Sequence, residues 1–339
     1  MTHPNPTRRR LLALAALGGT AACVLPGPSR AQGRKALRIQ YDWLISNAQV
    51  GDVVAQSKGF FAEQGLDVTF GPGGPNAQTV PPVMAGQAQL GQFSSTNQAL
   101  VAYGAERPVK VFACVFQQLP YAYFSLPRSP IRTPQDMIGK TIGVNPNGRQ
   151  LLSMVLATNR IDPAKVRAVT MGADMSPLLT GQVDAVTGFM TNTQALAVLG
   201  PDRITLPLEQ TGVTSYANPY FTSADTYAAE KDALTRFLAA VARGWGWANS
   251  NRRAAVDILC DANPALDREV EYATVDLIMS LSFNADTKAH GWGWFDDDRI
   301  TRQIALLKEN GAFQTRVPDL PGVCTHELLD ATVRERPFA

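Results

Sequence analysis

The sequence is poor in the residue types that bind metals or attack substrates. Its 339 residues include three histidines and four cysteines. The two histidines beyond the amino-terminal segment, His290 and His326, are far apart and have no Cys-x-x-Cys pair nearby, so no metal site is expected. Gly-x-Ser-x-Gly, a phosphate loop ending in Lys-Ser/Thr, and Gly-x-Gly-x-x-Gly after the first strand are also missing. We therefore expect no metal, no cofactor and no catalytic residue.

The sequence also lacks a convincing membrane span. Residues 7–12 contain a twin arginine, an alanine-rich apolar run follows, and residues 29–31 offer a small-x-small cleavage site. The run is too short and too rich in glycine and alanine for a spanning helix, which needs about 20 strongly apolar residues. We predict a twin-arginine export signal over residues 1–31, cleaved after Ala31. The alternatives are an uncleaved anchor and lipidation at Cys23.

The chain also has no large excess of basic or of acidic residues. The chain has 31 basic and 29 acidic residues, and residues 1–31 contain four arginines and no acid. Cleavage would leave 27 basic and 29 acidic residues, a net charge of −2. Duplex binding needs a concentrated basic surface, so this balance argues against nucleic acid as a partner.

Three cysteines remain after the predicted cleavage. Cys114 lies in an apolar stretch typical of a buried strand and is expected to act as a small hydrophobic residue. Cys260 and Cys324 can pair in an oxidising compartment, although no spacing motif supports the pair.

Residues 37–70 predict a strand, a helix and a second strand. Apolar and polar residues alternate at both ends of this stretch, and valines recur at helical spacing between them. Gly65 stands where a helix end often needs a left-handed residue. Strands joined this way form a right-handed parallel crossover, whose ligand crevice lies beyond the carboxyl ends of the strands. Trp43 falls at that edge, either as a ligand platform or as a core tryptophan.

The same unit occurs twice. Residues 86–100 and 181–196 share a Gly-Gln opening, a short strand, and a Thr-Asn pair that leads into a helix. Each stretch follows a strand, a helix and a strand, at 37–70 and at 141–171. This repetition predicts two α/β lobes of similar design.

The connections between the lobes can also be placed. An apolar strand over 111–116 is broken at 117–120, and a return is expected near 205–216. We therefore assign residues 32–120 and 205–339 to the first lobe and 121–204 to the second, with a hinge at the two crossings. A helical tail on the first lobe is predicted over 227–248, capped by Asp225, and over 253–261, 267–282 and 297–309.

Two Gly-Trp-Gly-Trp stretches occur in that tail, at 244–247 and 291–294. We predict that both pack the helices, because large aromatic residues are more often buried than functional. The alternative for the second stretch is a position at the cleft mouth.

Equivalent loops of the two lobes should face each other across a cleft. Ser94 and Ser95 of the first lobe then correspond to Phe189 and Met190 of the second. A flat ligand could be held between Trp43 and Phe189 by offset stacking. The alternatives are core packing for Phe189 and Met190 and helix capping for the two serines.

Several stretches resemble the thiamine-precursor-binding-like group of ABC-transporter solute-binding proteins. They are Asp42 with Trp43, and residues 59–68, 134–140, 181–185 and 291–299. The resemblance implies a two-lobed, type II periplasmic-binding-protein fold with two Rossmann-like lobes. Members bind thiamine-pyrimidine precursors, riboflavin, nitrate, taurine or other sulfonates. Pyrimidine-precursor binders resemble Asp-Trp-x-Pro-Asn-x-x-His-x-Gly, where this chain has Asn47 and replaces the histidine by Gln49. Their glutamate after the second-lobe strand is missing here.

The resemblance implies a monomeric periplasmic protein that is not an enzyme. It would capture a small planar heteroaromatic solute and deliver it to the permease and ATPase of an importer. The alternatives are a binder of sulfonate, taurine or nitrate, an enzyme like the pyrimidine synthases, and a ligand sensor. The expected ligand-binding residues are Trp43, Asn47, Gln49, Ser94, Ser95, Gln118, Phe189 and Asn192, with Arg149 for an anion.

Overall fold

The computed structural model describes residues 33–74, 77–145, 148–172 and 174–338, so the predicted export signal lies outside the described residues. None of the helices in these ranges is long and apolar enough to cross a membrane. The strands of the described residues are, in chain order, β1 (Lys35–Tyr41), β2 (Leu66–Gly71), β3 (Leu90–Gln92), β4 (Val109–Phe116), β5 (Tyr121–Ser125), β6 (Thr141–Val144), β7 (Arg167–Thr170), β8 (Ala185–Phe189), β9 (Ile204–Pro207) and β10 (Ala217–Ser223).

The α-helices of the described residues surround these strands, and the longest ones form the carboxy-terminal part. They are α1 (Val50–Ser57), α2 (Phe60–Glu63), α3 (Val80–Met84), α4 (Thr96–Gly104), α5 (Gly148–Thr158), α6 (Ser176–Leu179), α7 (Thr193–Ala197), α8 (Ala224–Ser250), α9 (Arg252–Ala262), α10 (Arg268–Ser282), α11 (Ala285–His290), α12 (Asp297–Glu309), α13 (Leu320–Val323) and α14 (Glu327–Ala331).

The strands form two five-stranded sheets of the same design. The first has the order β2-β1-β3-β10-β4 and the second the order β7-β6-β8-β5-β9. In each sheet three neighbouring strands are parallel, and the strand that follows them, β10 or β5, runs antiparallel. The two α/β lobes predicted from the repeat are therefore confirmed. We call them the first and the second lobe.

The two crossings between the lobes show which sheet edges face each other. The chain leaves the first lobe at the end of β4 and returns at the start of β10, the edge where the parallel strands β1 and β3 also end. It enters the second lobe at the start of β5, opposite the end of β8. Both lobes thus turn the carboxyl ends of their parallel strands toward the crossings, where crevices of α/β sheets bind ligands. We call the space between these edges the cleft.

The return crossing begins later than the sequence predicts. Strand β9 pairs with β5 in the second sheet, with Thr205 opposite Phe124 and Pro207 opposite Ala122. The predicted lobe boundary after residue 204 therefore cuts through this strand. Alternation over four residues is too short a signal to separate a last strand from a connection.

The helical tail agrees with its predicted spans, but the cap of α8 differs. Ser223, and not Asp225, is the N-cap, and its hydroxyl accepts the Thr226 N–H at 3.1 Å. Asp225 lies in the first turn, where a negative charge still stabilises the helix through the dipole. Serine and aspartate are both favoured at the N-cap. Ser223 occupies it here because β10 ends at this residue and α8 begins directly after it.

The two Gly-Trp-Gly-Trp stretches pack against each other. Trp245 and Trp292 are fully buried and stack with ring centroids 5.8 Å apart and an interplanar angle of 20°. Trp294 is half-buried and stacks on His290 at 4.1 Å. The packing prediction is confirmed, and the second stretch joins the tail to the first sheet through a hydrogen bond from Cys114 N–H to the Gly293 carbonyl.

Glycine allows α1 and α8 to approach closely. A Cβ added to Gly244 would lie closer than 3.0 Å to the Gly51 carbonyl oxygen and to the Ala55 Cβ. A Cβ on Gly51 would enter the ring of Trp245 at similarly short distances. Two helices can approach at this spacing only when small residues meet at the crossing point.

A carboxylate is buried beside this crossing. Asp52 on α1 accepts hydrogen bonds from the Tyr41 hydroxyl at 2.8 Å, the Tyr220 hydroxyl at 2.5 Å and Trp245 Nε1 at 3.1 Å. Burial raises the pKa of Asp52 to about 6, although the three donors lower it. The carboxylate therefore links β1, β10, α1 and α8 through one point.

The pairing that the sequence leaves open for Cys260 and Cys324 is not formed. Both thiols are free and buried, as is Cys114. Burial raises the pKa of all three thiols, to about 12 for Cys324. Thiols kept protonated in this way are unreactive packing groups, as predicted for Cys114.

Substitution of Gly244 by alanine should destabilise the fold by about 2 kcal/mol. Overpacking against backbone costs about 1–3 kcal/mol or more, and the roughly 1 kcal/mol of helix propensity gained by alanine only partly offsets it. Urea denaturation measures the difference. Gly172→Ala, where no atom lies within 4 Å of the added Cβ, is the matched control, and an equal effect of both variants would contradict the close-contact argument.

The burial of Asp52 predicts a pH-dependent stability. Its pKa is raised to about 6 from the ordinary 3.8, so the folded state binds a proton more tightly than the unfolded state. The stabilisation is complete below pH 4 and is lost as the pH rises through 6, by about 2–3 kcal/mol. The unfolding free energy of the wild type minus that of Asp52→Asn should fall by this amount between pH 4 and 7. A flat difference would show that Asp52 titrates normally.

Candidate functional site

Asp42 and Trp43 follow β1 directly and lie on the cleft edge of the first lobe. The Trp43 side chain is 51% exposed, which excludes the core alternative. The Gly73 N–H donates to the Trp43 carbonyl at 3.0 Å, and a Cβ on Gly73 would lie closer than 3.0 Å to the backbone of both residues. The glycine-rich turn after β2 therefore supports the backbone of this pair and leaves the indole ring accessible.

Ser94 holds the Asp42 carboxylate. Asp42 Oδ2 accepts the Ser94 N–H at 2.5 Å and the Ser94 hydroxyl at 2.6 Å. Burial raises the pKa of Asp42 to about 6, against the lowering effect of these two bonds. The Ser94 hydroxyl proton, predicted to contact the ligand, is therefore directed at Asp42.

Ser95 is the N-cap of α4, as the helix-capping alternative proposed. Its N–H donates to Gln98 Oε1 at 3.0 Å in a capping box, and the residue is buried. The next position but one, Asn97, is also buried, and its side-chain amide has no hydrogen-bond partner among the described residues. The helix terminus beside Asp42 is thus rich in polar groups.

Gln49 lies under the loop that follows β1, and both the oxygen and the nitrogen of its side-chain amide form hydrogen bonds. Its Oε1 accepts the Ser46 N–H at 3.1 Å, and its Nε2 donates to Gln92 Oε1 at 2.9 Å. The side chain is 2% exposed. In this structure Gln49 ties the loop after β1 to the end of β3.

Asn47 is fixed by α10. Its N–H donates to Glu271 Oε2 at 3.2 Å and its Nδ2 to the Glu271 carbonyl at 2.8 Å. Asn47 Oδ1 is buried and has no partner among the described residues. Burial raises the pKa of Glu271, with the Asn47 N–H opposing the shift.

Phe189 ends β8 on the opposite edge of the cleft. It pairs in register with Tyr121, and the two rings meet edge to face with centroids 5.5 Å apart. Burial raises the pKa of Tyr121 to about 12, with the Thr187 hydroxyl offsetting part of the shift. The Phe189 ring is half-buried and therefore retains a face that a ligand could contact.

Arg149 lies in the first turn of α5, after Gly148, which packs against the Tyr121 hydroxyl. Arg149 is exposed and its Nη2 donates to the Thr170 hydroxyl at 2.7 Å. A Cβ on Gly148 would collide with the Tyr121 hydroxyl, so glycine is required at the first position of the helix. The guanidinium thus stands at the ends of β6 and β7, on the cleft edge of the second lobe.

The other two predicted site residues are Asn192 and Gln118. Asn192 is exposed and precedes α7, with its N–H donated to the Phe189 carbonyl at 3.0 Å. Gln118 is half-buried in the outward crossing. Neither side chain makes a hydrogen bond within the described residues.

The predicted residues other than Gln118, which lies in the outward crossing, fall into three sets. The structure brings Trp43, Ser94 and Ser95 to one cleft edge and places Phe189, Asn192 and Arg149 on the other, whereas Asn47 and Gln49 are buried behind the first. Sequence reasoning missed Asp42, Glu271 and Tyr121. Only Asp42 carried a signal, a carboxylate directly at the end of a parallel strand.

The described residues contain no group of three His, Cys, Asp or Glu side chains that could hold a metal ion. His290 and His326, distant in sequence, both lie beside Trp294, with ring centroids 4.1 and 6.3 Å from it. His326 Nε2 is 2.8 Å from Asp297 Oδ1. These rings pack the tail and stand apart from the residues named above.

Two α/β lobes joined by two crossings, with aromatic and polar residues on facing edges, define the class of two-lobed periplasmic-binding-protein folds. A solved member, the alkanesulfonate-binding protein SsuA from Xanthomonas axonopodis pv. citri bound to MOPS, superposes with a TM-score of 0.64 at 18% identity, covering 86% of this chain and 98% of that chain. Residues 47–255 match the sequence model of the family described as NMT1/THI5 like. The chain therefore belongs to this family, and the resemblance seen in the sequence is confirmed.

Named relatives support the same assignment. A Halalkalibacterium halodurans protein named as a formylaminopyrimidine-binding protein is 25% identical over 277 residues, covering 78% of this chain and 83% of that protein. A Haemophilus influenzae protein named for thiamine biosynthesis is 29% identical over 189 residues, 54% of this chain and 60% of its own length. A Legionella pneumophila protein, named 4-amino-5-hydroxymethyl-2-methylpyrimidine phosphate synthase, is 21% identical over 279 residues, 79% of this chain and 86% of that protein.

Proposed function

We propose that this protein is a periplasmic solute-binding protein that captures a small planar heteroaromatic solute in the cleft. The observation that carries the proposal is the placement of Trp43, half exposed, and Phe189, half-buried, on facing sheet edges. A ring stacked on such side chains gains about 0.5–1.5 kcal/mol beyond its area burial. Membership of a family with a relative named for formylaminopyrimidine binding supports the same solute class.

Polar side chains around the rings would read the edge of the solute. Gln118 and Asn192, whose side chains make no hydrogen bond within the described residues, would do so together with Ser94 and Ser95 near the Trp43 loop. Asn47 and Gln49 would act from behind that loop by holding its shape, since their amides bond to Glu271, Ser46 and Gln92. The solute would be pyrimidine-like or a related vitamin precursor, and the protein would use no cofactor or metal.

Arg149 favours a second candidate, a sulfonate, taurine or nitrate ligand. Its guanidinium lies on the cleft edge of the second lobe, at the amino terminus of an eleven-residue helix. Helix amino termini and guanidinium groups both attract anions. The structural relative bound to MOPS belongs to a sulfonate binder, although at 18% identity it supports only the shared fold.

We propose binding and not catalysis. The position where pyrimidine-precursor relatives have histidine holds Gln49, which is buried with its amide engaged. One relative is named a pyrimidine phosphate synthase, so turnover is the outcome that would reverse this choice. The proposed partners are the permease and ATPase of an ABC importer, approached by a monomer exported through residues 1–31.

A ligand screen and scattering test the proposal together. A compound at a hundredfold excess over its dissociation constant should add about 2.7 kcal/mol to the unfolding free energy, which a thermal shift reveals. The hit should also reduce the radius of gyration, because the lobes close by bending at the crossings 117–120 and 208–216. An unchanged radius at saturation would count against closure, and product formation would establish an enzyme.

Two substitutions separate the ring clamp from the anion site. Trp43→Ala should weaken binding of the screened hit by roughly 2–4 kcal/mol, as loss of a buried aromatic anchor does, while Arg149→Ala should have little effect. Trp247→Ala is the matched control, since this half-buried tryptophan lies on α8 with Lys58 over its ring. Titration calorimetry measures all three. The reverse order, with Arg149 dominant, would establish an anionic ligand.

A further inference from the structure

The two lobes have net charges of opposite sign. The second lobe, residues 121–207, contains eight basic and five acidic residues, a net charge of +3. The rest of the chain beyond residue 31 contains 19 basic and 24 acidic residues, a net charge of −5. The small net charge of the whole chain is therefore the sum of a basic lobe and an acidic one. Such an asymmetry orients a protein in the field of a charged partner.

The basic residues of the second lobe gather at the edge of its sheet that lies opposite the cleft. Arg167 starts β7 opposite Thr141, the first residue of β6. Ser125 ends β5 opposite Ala185 and Ile204, the first residues of β8 and β9. The connections that enter or leave this row of strand ends contain seven of the eight basic residues and four of the five acids. We call the seven the basic edge: Arg128, Arg132, Lys140, Arg160, Lys165, Arg167 and Arg203.

The acids near the basic edge are held by backbone donors. Asp136 Oδ2 accepts two backbone N–H groups, both at 2.9 Å, and Asp184 Oδ2 accepts one at 2.8 Å. Among the described residues of the second lobe one ion pair forms, between Lys140 and Asp184 at 3.9 Å. The members of the basic edge that are exposed and whose side chains make no hydrogen bond or ion pair within the described residues are Arg132, Arg160, Lys165 and Arg167.

Exposed apolar side chains lie among these charges. Ile138 is 47% exposed, Leu179 is 42% exposed and Val198 is 58% exposed. Lys140 follows Ile138 by two residues, and the Arg128 guanidinium donates to the carbonyl of the residue before Leu179. Basic groups combined with exposed apolar side chains are typical of proteins that lie on the surface of an anionic bilayer.

We propose that the basic edge binds the anionic phospholipid headgroups of a membrane, with Ile138 and Leu179 entering the headgroup region. Five neighbouring strand ends extend over about 20 Å, so the charges face an extended surface and do not converge on one small anion. The acidic first lobe would be repelled by the same surface and would point away from it.

This surface lies opposite the cleft, so the inference goes beyond the proposed function. A protein already bound at the bilayer would meet an importer in that bilayer by moving along the surface. The binding itself does not depend on which solute the cleft holds.

Sedimentation with lipid vesicles tests the inference. The protein is purified from the compartment to which it is exported, and the wild type and all variants have the same amino-terminal segment. The wild type should bind vesicles of phosphatidylethanolamine and phosphatidylglycerol at low ionic strength and should not bind vesicles of phosphatidylcholine alone. Binding should be lost in about 1 M salt, because the Debye length then falls to about 3 Å.

Charge variants locate the binding surface. The triple variant Arg132→Gln, Lys165→Gln and Arg167→Gln should weaken vesicle binding about a hundredfold, since each basic group near an anionic surface contributes roughly fivefold. All three side chains are exposed, so the variant should unfold at the wild-type temperature.

The matched control makes the same charge change at exposed positions of the first lobe, with Arg34→Gln, Arg107→Gln and Lys308→Gln. It should leave vesicle binding nearly unchanged. Absence of wild-type binding to the anionic vesicles, equal binding to phosphatidylcholine, or an equal loss in both triple variants would overturn the role of the basic edge. The ligand screen is a separate measurement, so none of these results would bear on solute binding in the cleft.

Discussion

The hydrogen bonds to Asp52 are the interaction on which the first lobe depends. One carboxylate accepts from a tyrosine of β1, a tyrosine of β10 and a tryptophan of α8. Removing any donor would leave a buried charge with fewer partners, at a cost of several kcal/mol. The consequence reaches the cleft, because Tyr41 is the last residue of β1 and its side chain is anchored below the sheet. Asp42 and Trp43 follow Tyr41 directly, so the anchored tyrosine fixes the position of the backbone from which they extend.

The two walls of the cleft are joined by one helix. Glu271 on α10 holds Asn47 of the first lobe, and Thr274 of the same helix lies 2.9 Å from the Thr193 hydroxyl of the second lobe. Residues three apart share a helix face, so a single rigid element contacts both sides. Opening the cleft must therefore break the threonine contact or displace α10 from the Asn47 loop. The hydroxyl pair is weak and half-buried, so it is the contact expected to yield first.

The two-lobed fold could be predicted because the sequence contains the same pattern twice. Residues 86–100 and 181–196 are similar, and each stretch follows a strand, a helix and a strand. The sequence also predicted Trp43 and Phe189 at facing edges, because carboxyl ends of parallel strands gather on one side. It could not predict the direction in which polar side chains turn. Ser94 bonds inward to Asp42 and Gln49 bonds beneath the loop, and these choices depend on partners more than 40 residues away. The sequence left the pairing of Cys260 and Cys324 open for the same reason, since no local pattern shows that two thiols distant in sequence are buried apart.

Two polar residues of the first-lobe wall, Gln49 and Asp42, have different roles in the structure. In the first-loop frame of pyrimidine binders, the histidine position holds Gln49 here. An imidazole at the surface of a cleft can exchange a proton with solvent or ligand, whereas the Gln49 amide is uncharged and committed to Ser46 and Gln92. Gln49 therefore supports the conformation of the loop after β1. The carboxylate of Asp42 on this wall is oriented by the backbone N–H of Ser94, two residues after β3, and forms no ion pair with a lysine or arginine of the described residues.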